Sequence, residues 1–331
     1  MYPIEYWHIS MQTQSGNEVP KPYRVLSLDG GGAKGFYTLG VLSEIESVTK
    51  RPLSQCFDLI FGTSTGAIIA ALLARGETVE RVRFLYEKHV PVIMKDQSGE
   101  DRTKALHSQA HDVFEGDTYR VFKTGIGIVA TNWQDKRPLI FKNVVNQAYG
   151  SKSSFEPFFG VSVADAVIAS CSAYPFFKPH TVTKSNGDVV ICVDGGFCAN
   201  NPSLYALADT TVALKHPRSN VRLISLGVGM YPEPKLWKKA RRFLRDWKLA
   251  QHACSSTFLQ KMLDTNTRSM EVISDILFKD LPTVRIHDSF SEPDMATDLL
   301  EHDLKKLNRL VQKGRDSFRK NEPRLREFLE G

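Results

Sequence analysis

The 331 residues predict a doubly wound α/β fold, an open and mostly parallel sheet with helices on both faces, ending in a helical carboxy-terminal appendage. Three observations predict it. Short apolar runs of strand length, at 23–28, 57–61, 188–193 and 221–226, are separated by longer stretches with helical periodicity, as parallel sheets require. The first two runs end in glycine-rich turns that open a helix. The third delivers an aspartate followed by two glycines, where open α/β sheets place functional groups.

The first strand, 23–28, follows a polar extension, 1–22, that carries Tyr2, Tyr6 and Trp7. It runs into Asp29-Gly30-Gly31-Gly32-Ala33-Lys34-Gly35 and then a helical pattern from Phe36 to about Val48. A loop of this kind turns backbone N–H groups toward an anion at a positive helix end. Two chemistries fit it. Gly30-x-Gly32-x-x-Gly35 satisfies the dinucleotide-binding spacing, but the acid wanted about 20 residues on would have to be Asp58, which opens its strand instead of closing it. The other chemistry is an oxyanion hole, in which Gly30, Gly31 and Gly32 stabilise a tetrahedral intermediate. A candidate nucleophile one strand later favours the oxyanion hole.

The second strand leads into Gly62-Thr63-Ser64-Thr65-Gly66 and an all-apolar helix from Ala67. Strand, Gly-x-Ser-x-Gly and helix together make a nucleophile elbow, with Gly62 and Gly66 small enough for the sharp turn and Ser64 at its tip. Gly76 is a C-cap candidate, and 78–89 reads as an amphipathic helix. Residues 90–117 are polar and weakly periodic and read as loops or short helices near the site, a candidate lid. Strands are expected at 127–133 and 138–142, and a helix at 162–173. The strand at 188–193 brings Asp194, Gly195 and Gly196, and Asn200-Asn201-Pro202 starts a helix.

In the carboxy-terminal third, 236–249 reads as a basic amphipathic helix. Leu236, Trp237, Phe243 and Trp247 share one side, and 235–248 holds seven basic residues against the single acid Asp246. Such a segment packs on a core, lies in a membrane interface or binds phosphate. Asp298 and Glu301 suggest a capping box before a helix with a Leu300, Leu304, Leu307 and Val311 stripe, and 314–331 reads as charged surface helix.

Composition narrows the function class. Hydrophobic residues are 42% and charged residues 24%, which describes a globular chain and not a disordered one. The net charge of +6 suits an anionic partner such as a lipid headgroup or a nucleotide. Cys56, Cys171, Cys192, Cys198 and Cys254 are odd in number and form no Cys-x-x-Cys pair, so a reducing cytoplasmic compartment without a zinc knuckle is expected. The amino-terminal residues lack a signal-peptide pattern, and the longest wholly apolar run, 67–74, is far short of the ~20 residues that span a bilayer. Contact with a membrane would be peripheral.

With these residues in place the chain resembles the patatin-like phospholipases. The carrying motifs are Asp29-Gly30-Gly31-Gly32-Ala33-Lys34-Gly35, Gly62-Thr63-Ser64-Thr65-Gly66 and Asp194-Gly195-Gly196, in the family's order, over roughly residues 23–214. The resemblance implies a patatin-like core at 23–215, with 216–331 supplying a last core strand and then helices. It implies Ser64 as nucleophile, Asp194 as its base without a histidine, and the Gly30–Gly32 amides as oxyanion donors, with Lys34, Gly62, Gly66, Gly195 and Gly196 in support. Many members carry arginine where Lys34 stands; lysine keeps the charge and loses the planar fork. Residues 29–42 and 57–69 further resemble the phospholipase effectors of bacterial cyclic-oligonucleotide anti-phage systems. That implies a cytoplasmic enzyme, peripheral on the inner membrane when active, that needs no cofactor or metal for its chemistry. A cyclic dinucleotide such as cyclic GMP–AMP would activate it, with phospholipid and no nucleic-acid polymer as partner, and a homo-oligomer is compatible. The competing readings are an unregulated lipid acyl esterase, a Ser–His–Asp triad using His216, His252, His287 or His302, and a non-catalytic dinucleotide-binding module.

Overall fold

The computed structural model describes residues 21–95, 98–148, 155–232 and 247–330, with side chains except at 247–257 and 330. Residues 1–20 of the amino-terminal extension and most of the basic helix at 236–249 lie outside the described residues. One eight-stranded sheet organises the rest. Its centre is β1 (Tyr23–Leu28), flanked in parallel by β2 (Leu59–Thr63) and β7 (Val221–Leu226). Beyond β2 lies β3 (Gly125–Asn132), also parallel, and beyond β7 lies the parallel β8 (Thr283–Ile286). Three antiparallel pairings complete the sheet. β3 pairs with β4 (Arg137–Lys142) and β6 (Val189–Asp194), and β6 pairs with β5 (His180–Thr183).

Strand side chains alternate between two cores, because successive residues of a strand point to opposite faces. Leu26, Leu28 and Ile60 enter the larger core, whereas Val25, Leu59 and Phe61 enter the smaller one. The larger face is covered by α1 (Gly35–Thr49), α2 (Thr65–Arg75), α3 (Val79–Lys95), α4 (Gly99–Phe114) and α5 (Val163–Cys171). The smaller face receives the short α6 (Gly196–Ala199) and α7 (Ser203–Ala208), with α8 (Trp247–Leu277) packed on both. The last helix, α9 (Leu304–Glu330), lies on α1. The two approach closely at Gly40 and Gly314; a Cβ on Gly40 would stand 2.1 Å from the Val311 carbonyl oxygen.

Several expectations change. Residues 90–117, read as loops or short helices, are mostly in two long helices: α3 continues to Lys95 through Pro91, and α4 fills most of the remainder. Ser98 caps α4 by accepting the Asp101 N–H at 3.0 Å. Arg102, Leu106, Ala110 and Phe114 form its buried stripe at four-residue spacing. The last helix starts at Leu304, not at Asp298, because the Asp298 and Glu301 carboxylates accept backbone N–H groups of a tight turn. Leu300 therefore leaves the helical stripe. The stretch from Gly314 is more than a surface helix, since Phe318, Leu325, Phe328 and Leu329 are buried. Among the described residues, no helix is long and apolar enough to cross a membrane.

The sheet register decides where the serine turn and the aspartate turn meet. On one edge of β3, Val129 faces Thr63 of β2 and Ala130 faces Asp194 of β6, while β4 occupies the opposite edge at both positions. The parallel β2 and the antiparallel β6 thus run toward each other along that edge. Their carboxy-terminal ends, Thr63 and Asp194, fall opposite successive residues of β3.

Candidate active site

Ser64 follows β2 at once and caps α2. Its φ of 53° and ψ of −123° lie in a region that an L-residue occupies only under constraint. The constraint is visible. A Cβ on Gly62 would stand 2.2 Å from the Gly66 carbonyl oxygen, and one on Gly66 would stand 2.3 Å from the Leu28 carbonyl oxygen. Only glycine at both positions lets the chain fold back this tightly against β1. The Ser64 N–H donates to Ser170 Oγ at 2.9 Å, and Ser170 Oγ donates to the Val129 carbonyl at 2.5 Å, which ties the elbow to α5 and β3.

Asp194 is 2% exposed at the end of β6. Burial pushes its carboxyl from an ordinary 3.8 up to about 6, against the opposing pull of the Ser64 hydroxyl and the Gly196 N–H. That N–H donates to Asp194 Oδ1 at 2.7 Å. Gly195 lies in tight contact with β3, where a Cβ would stand 2.1 Å from the Val129 carbonyl oxygen. The motif's two glycines therefore serve different ends: one donates to the carboxyl and one lets the strand end approach its neighbour.

The glycine loop after β1 forms the opposite wall. Gly31 and Gly32 line the same cavity as Ser64, Thr65 and Asp194. Gly30 does not share this position, since its N–H donates to the Asn200 carbonyl at 2.9 Å and Asn200 Nδ2 returns a bond to its carbonyl at 3.3 Å. Of the three glycines expected to serve as donors, Gly31 and Gly32 line the cavity, while the Gly30 amide is already taken. Lys34 is buried, and its ammonium is pushed below its usual range by that burial, with Asp264 and Asp298 opposing.

Asp29 carries a support that the sequence did not disclose. Its carboxylate is gripped by both terminal nitrogens of Arg285, at 2.9 and 2.6 Å, and Arg285 also reaches Glu271 of α8 and Ser225. A bidentate pair fixes orientation as well as charge. The loop base is thus anchored to β8 and α8. The only signal in the sequence was an arginine two residues before His287, with nothing to pair it with Asp29.

Of the four histidines considered for a triad, His287 follows a strand end, since β8 closes at Ile286. Burial, helped by the charges of Arg285, Lys34 and Arg268, pushes it well below the usual imidazole range. His216 stacks on Tyr23, at the far end of β1, and His302 contacts the Leu300 carbonyl. None of these three bonds to Ser64 or Asp194; the side chain of His252 lies outside the described residues. Asp58, the acid considered for a bound dinucleotide, accepts the Arg24 N–H at 2.8 Å at the opposite end of the sheet from the glycine loop.

The cavity is a cleft of about 630 Å³ whose walls, apart from the groups already named, are largely apolar, including Ile68, Ile93, Phe176, Leu263 and Leu300. A serine at an elbow, a basic carboxyl and an apolar cleft together describe an ester hydrolase that handles hydrocarbon.

Comparison with known proteins agrees. The family model for patatin-like phospholipases matches residues 26–207, more than half of the chain. The chain belongs to the patatin-like phospholipase family. A protein of Escherichia coli described as a cUMP-AMP-activated phospholipase is 54% identical over 320 residues, 97% of each chain. Two proteins described as cGAMP-activated phospholipases are more distant. The one from Vibrio cholerae is 27% identical, covering 68% of this chain and 66% of its own. The one from Pseudomonas aeruginosa is 30% identical, covering 62% of each.

Proposed function

We propose that this patatin-like phospholipase cleaves acyl esters of membrane phospholipids through Ser64 and Asp194, and that a cyclic dinucleotide switches it on. The observation that carries the chemistry is the elbow serine beside a desolvated aspartate at two strand ends that meet on β3. A carboxylate of ordinary basicity takes a hydroxyl proton poorly; one raised toward neutrality does so better.

Ser64 Oγ attacks the ester carbonyl carbon while its proton passes to Asp194. The carbonyl electrons collect on oxygen, which the amides of Gly31 and Gly32 stabilise; one such donor is typically worth ~3–4 kcal/mol of barrier. The intermediate collapses, and Asp194 returns the proton to the departing lysolipid alcohol. Water, deprotonated by Asp194, then attacks the acyl ester on Ser64, and the proton passes back to Ser64 Oγ as the fatty acid leaves. Arg285 holds the base of the loop through Asp29 and does not touch the reacting atoms.

The switch is supported by the relatives. The 54%-identical protein is described as cUMP-AMP-activated, and the more distant ones as cGAMP-activated. Cyclic UMP–AMP is therefore the first activator to test, ahead of the cyclic GMP–AMP expected from the sequence. In this reading the enzyme waits in the cytoplasm and attacks the inner membrane from its surface during anti-phage defence. The test is fatty-acid release from labelled phospholipid vesicles with a panel of cyclic dinucleotides. Release with one nucleotide, lost in Ser64→Ala, supports the reading. Equal release without nucleotide removes the switch, and release unaffected by Ser64→Ala removes the mechanism.

A further inference from the structure

A second apolar pocket, of about 430 Å³ including space open to solvent, adjoins the first between α2, α3 and α4. Ile68, Val90, Ile93 and Leu106 line both, so these four side chains form the waist that separates the two spaces. We propose that a single acyl chain of the substrate runs from Ser64 through this waist into the inner cavity, and that the inner cavity sets the preferred acyl length. The proposal rests on Ser64 being the nucleophile.

The path follows α2. That helix starts one residue after Ser64 and carries Ile68 at the waist and Leu72 in the inner wall. Eight residues of helix from Ser64 to Leu72 span ~12 Å, a distance only an extended chain covers. The inner cavity presents hydrocarbon to that chain. Its far wall includes Leu72, Val113, Phe114 and Val167. The polar side chains on its wall are turned to partners within the protein. The Tyr86 hydroxyl donates to the Thr65 carbonyl at 2.7 Å and meets Thr65 Oγ1 at 3.0 Å, and His89 Nδ1 is bonded to Gln109 Oε1. Apart from His89 and the Tyr86 phenol the wall holds no ionisable acid or base to pair with a headgroup, whereas a methylene chain gains by leaving water. Ala110 is a small residue on this wall, buried in the second half of α4. A larger side chain there would fill the space.

The experiment compares kcat/KM for p-nitrophenyl butanoate and p-nitrophenyl hexadecanoate in the same micelles, with cyclic UMP–AMP present, in wild type, Ala110→Phe and Leu72→Ala. Removing room for even one methylene typically changes selectivity ~10-fold or more. Ala110→Phe should therefore lower the hexadecanoate-to-butanoate ratio by at least ~10-fold, and Leu72→Ala should move the preference to longer chains. An unchanged ratio in both overturns the proposal; if Ala110→Phe does not fold, an unchanged ratio in Leu72→Ala alone overturns it. Binding of the fluorescent fatty acid cis-parinaric acid supplies a readout without turnover. Equal affinity in wild type and folded Ala110→Phe contradicts the path, whereas a wild type that binds the acid and hydrolyses neither ester contradicts the reading of Ser64 instead.

Discussion

Replacing Asp194 by asparagine separates the two consequences of its burial. The carboxyl is raised from 3.8 to about 6 in the fold, chiefly by desolvation. Between these values the folded chain binds more protons than the unfolded one, so the stability of the wild type falls as pH rises through this window. Two units correspond to a penalty of ~3 kcal/mol, present in full above about pH 6 and absent below about pH 4. Asparagine carries no charge, and its side-chain oxygen can still accept the Gly196 N–H that now bonds to Oδ1. Asp194→Asn should therefore be more stable than wild type by up to ~3 kcal/mol near pH 8, with the difference vanishing near pH 4. Urea unfolding at both pH values measures it, with equal m-values confirming that the same fold is compared. Turnover in the same variant should drop ~10²–10⁴-fold, the usual contribution of a general base. A variant that is less stable than wild type at both pH values would refute the desolvated-carboxylate reasoning. So would a stability gain independent of pH.

Three further outcomes are expected from the same geometry. The kcat/KM of the wild type should fall ~10-fold per pH unit below about 6, because Asp194 must be unprotonated to accept the Ser64 proton, and stay flat just above; a profile level down to pH 4 would exclude it as the base. Ser64→Gly should melt higher than Ser64→Ala by the equivalent of ~1–2 kcal/mol, since only glycine relieves the backbone at φ 53°; calorimetry showing equal melting temperatures would remove the strain. Arg285→Gln leaves Asp29 buried without its bidentate partner and should cost ~3–5 kcal/mol in urea unfolding, with reduced kcat because the glycine loop starts at the next residue.

The parts of the site that were legible in the sequence are those determined by neighbours along the chain. Gly62 and Gly66 are required by contacts of the elbow with its own helix and with β1, so the pentapeptide announces its geometry. Asp194 could be placed at a strand end by the glycines after it. What the sequence could not show was how the two strand ends meet. That depends on β6 running antiparallel to β3 on the edge it shares with β2, and nothing within residues 189–194 encodes direction. Arg285 lies 256 residues from the aspartate it grips, and β8 is only four residues long, too short for an alternation pattern to stand out. Gly30 looked equivalent to Gly31 and Gly32 because a glycine run does not reveal which amides are already bonded; Asn200, which closes α6 far along the chain, takes the first. The helix α4 was hidden by its polar exposed face, although its buried positions recur every fourth residue from Arg102.

The most direct test of the central claim is to stop turnover in acid and map the acylated residue by peptide mass spectrometry. The reaction would contain dihexadecanoyl phosphatidylglycerol vesicles and cyclic UMP–AMP, with Ser64→Ala run beside wild type. The predicted result is a hexadecanoyl ester on the peptide holding Ser64, with neither adduct nor fatty-acid release in Ser64→Ala. An acyl group on a different residue, or fatty-acid release at the wild-type rate from Ser64→Ala, would contradict it.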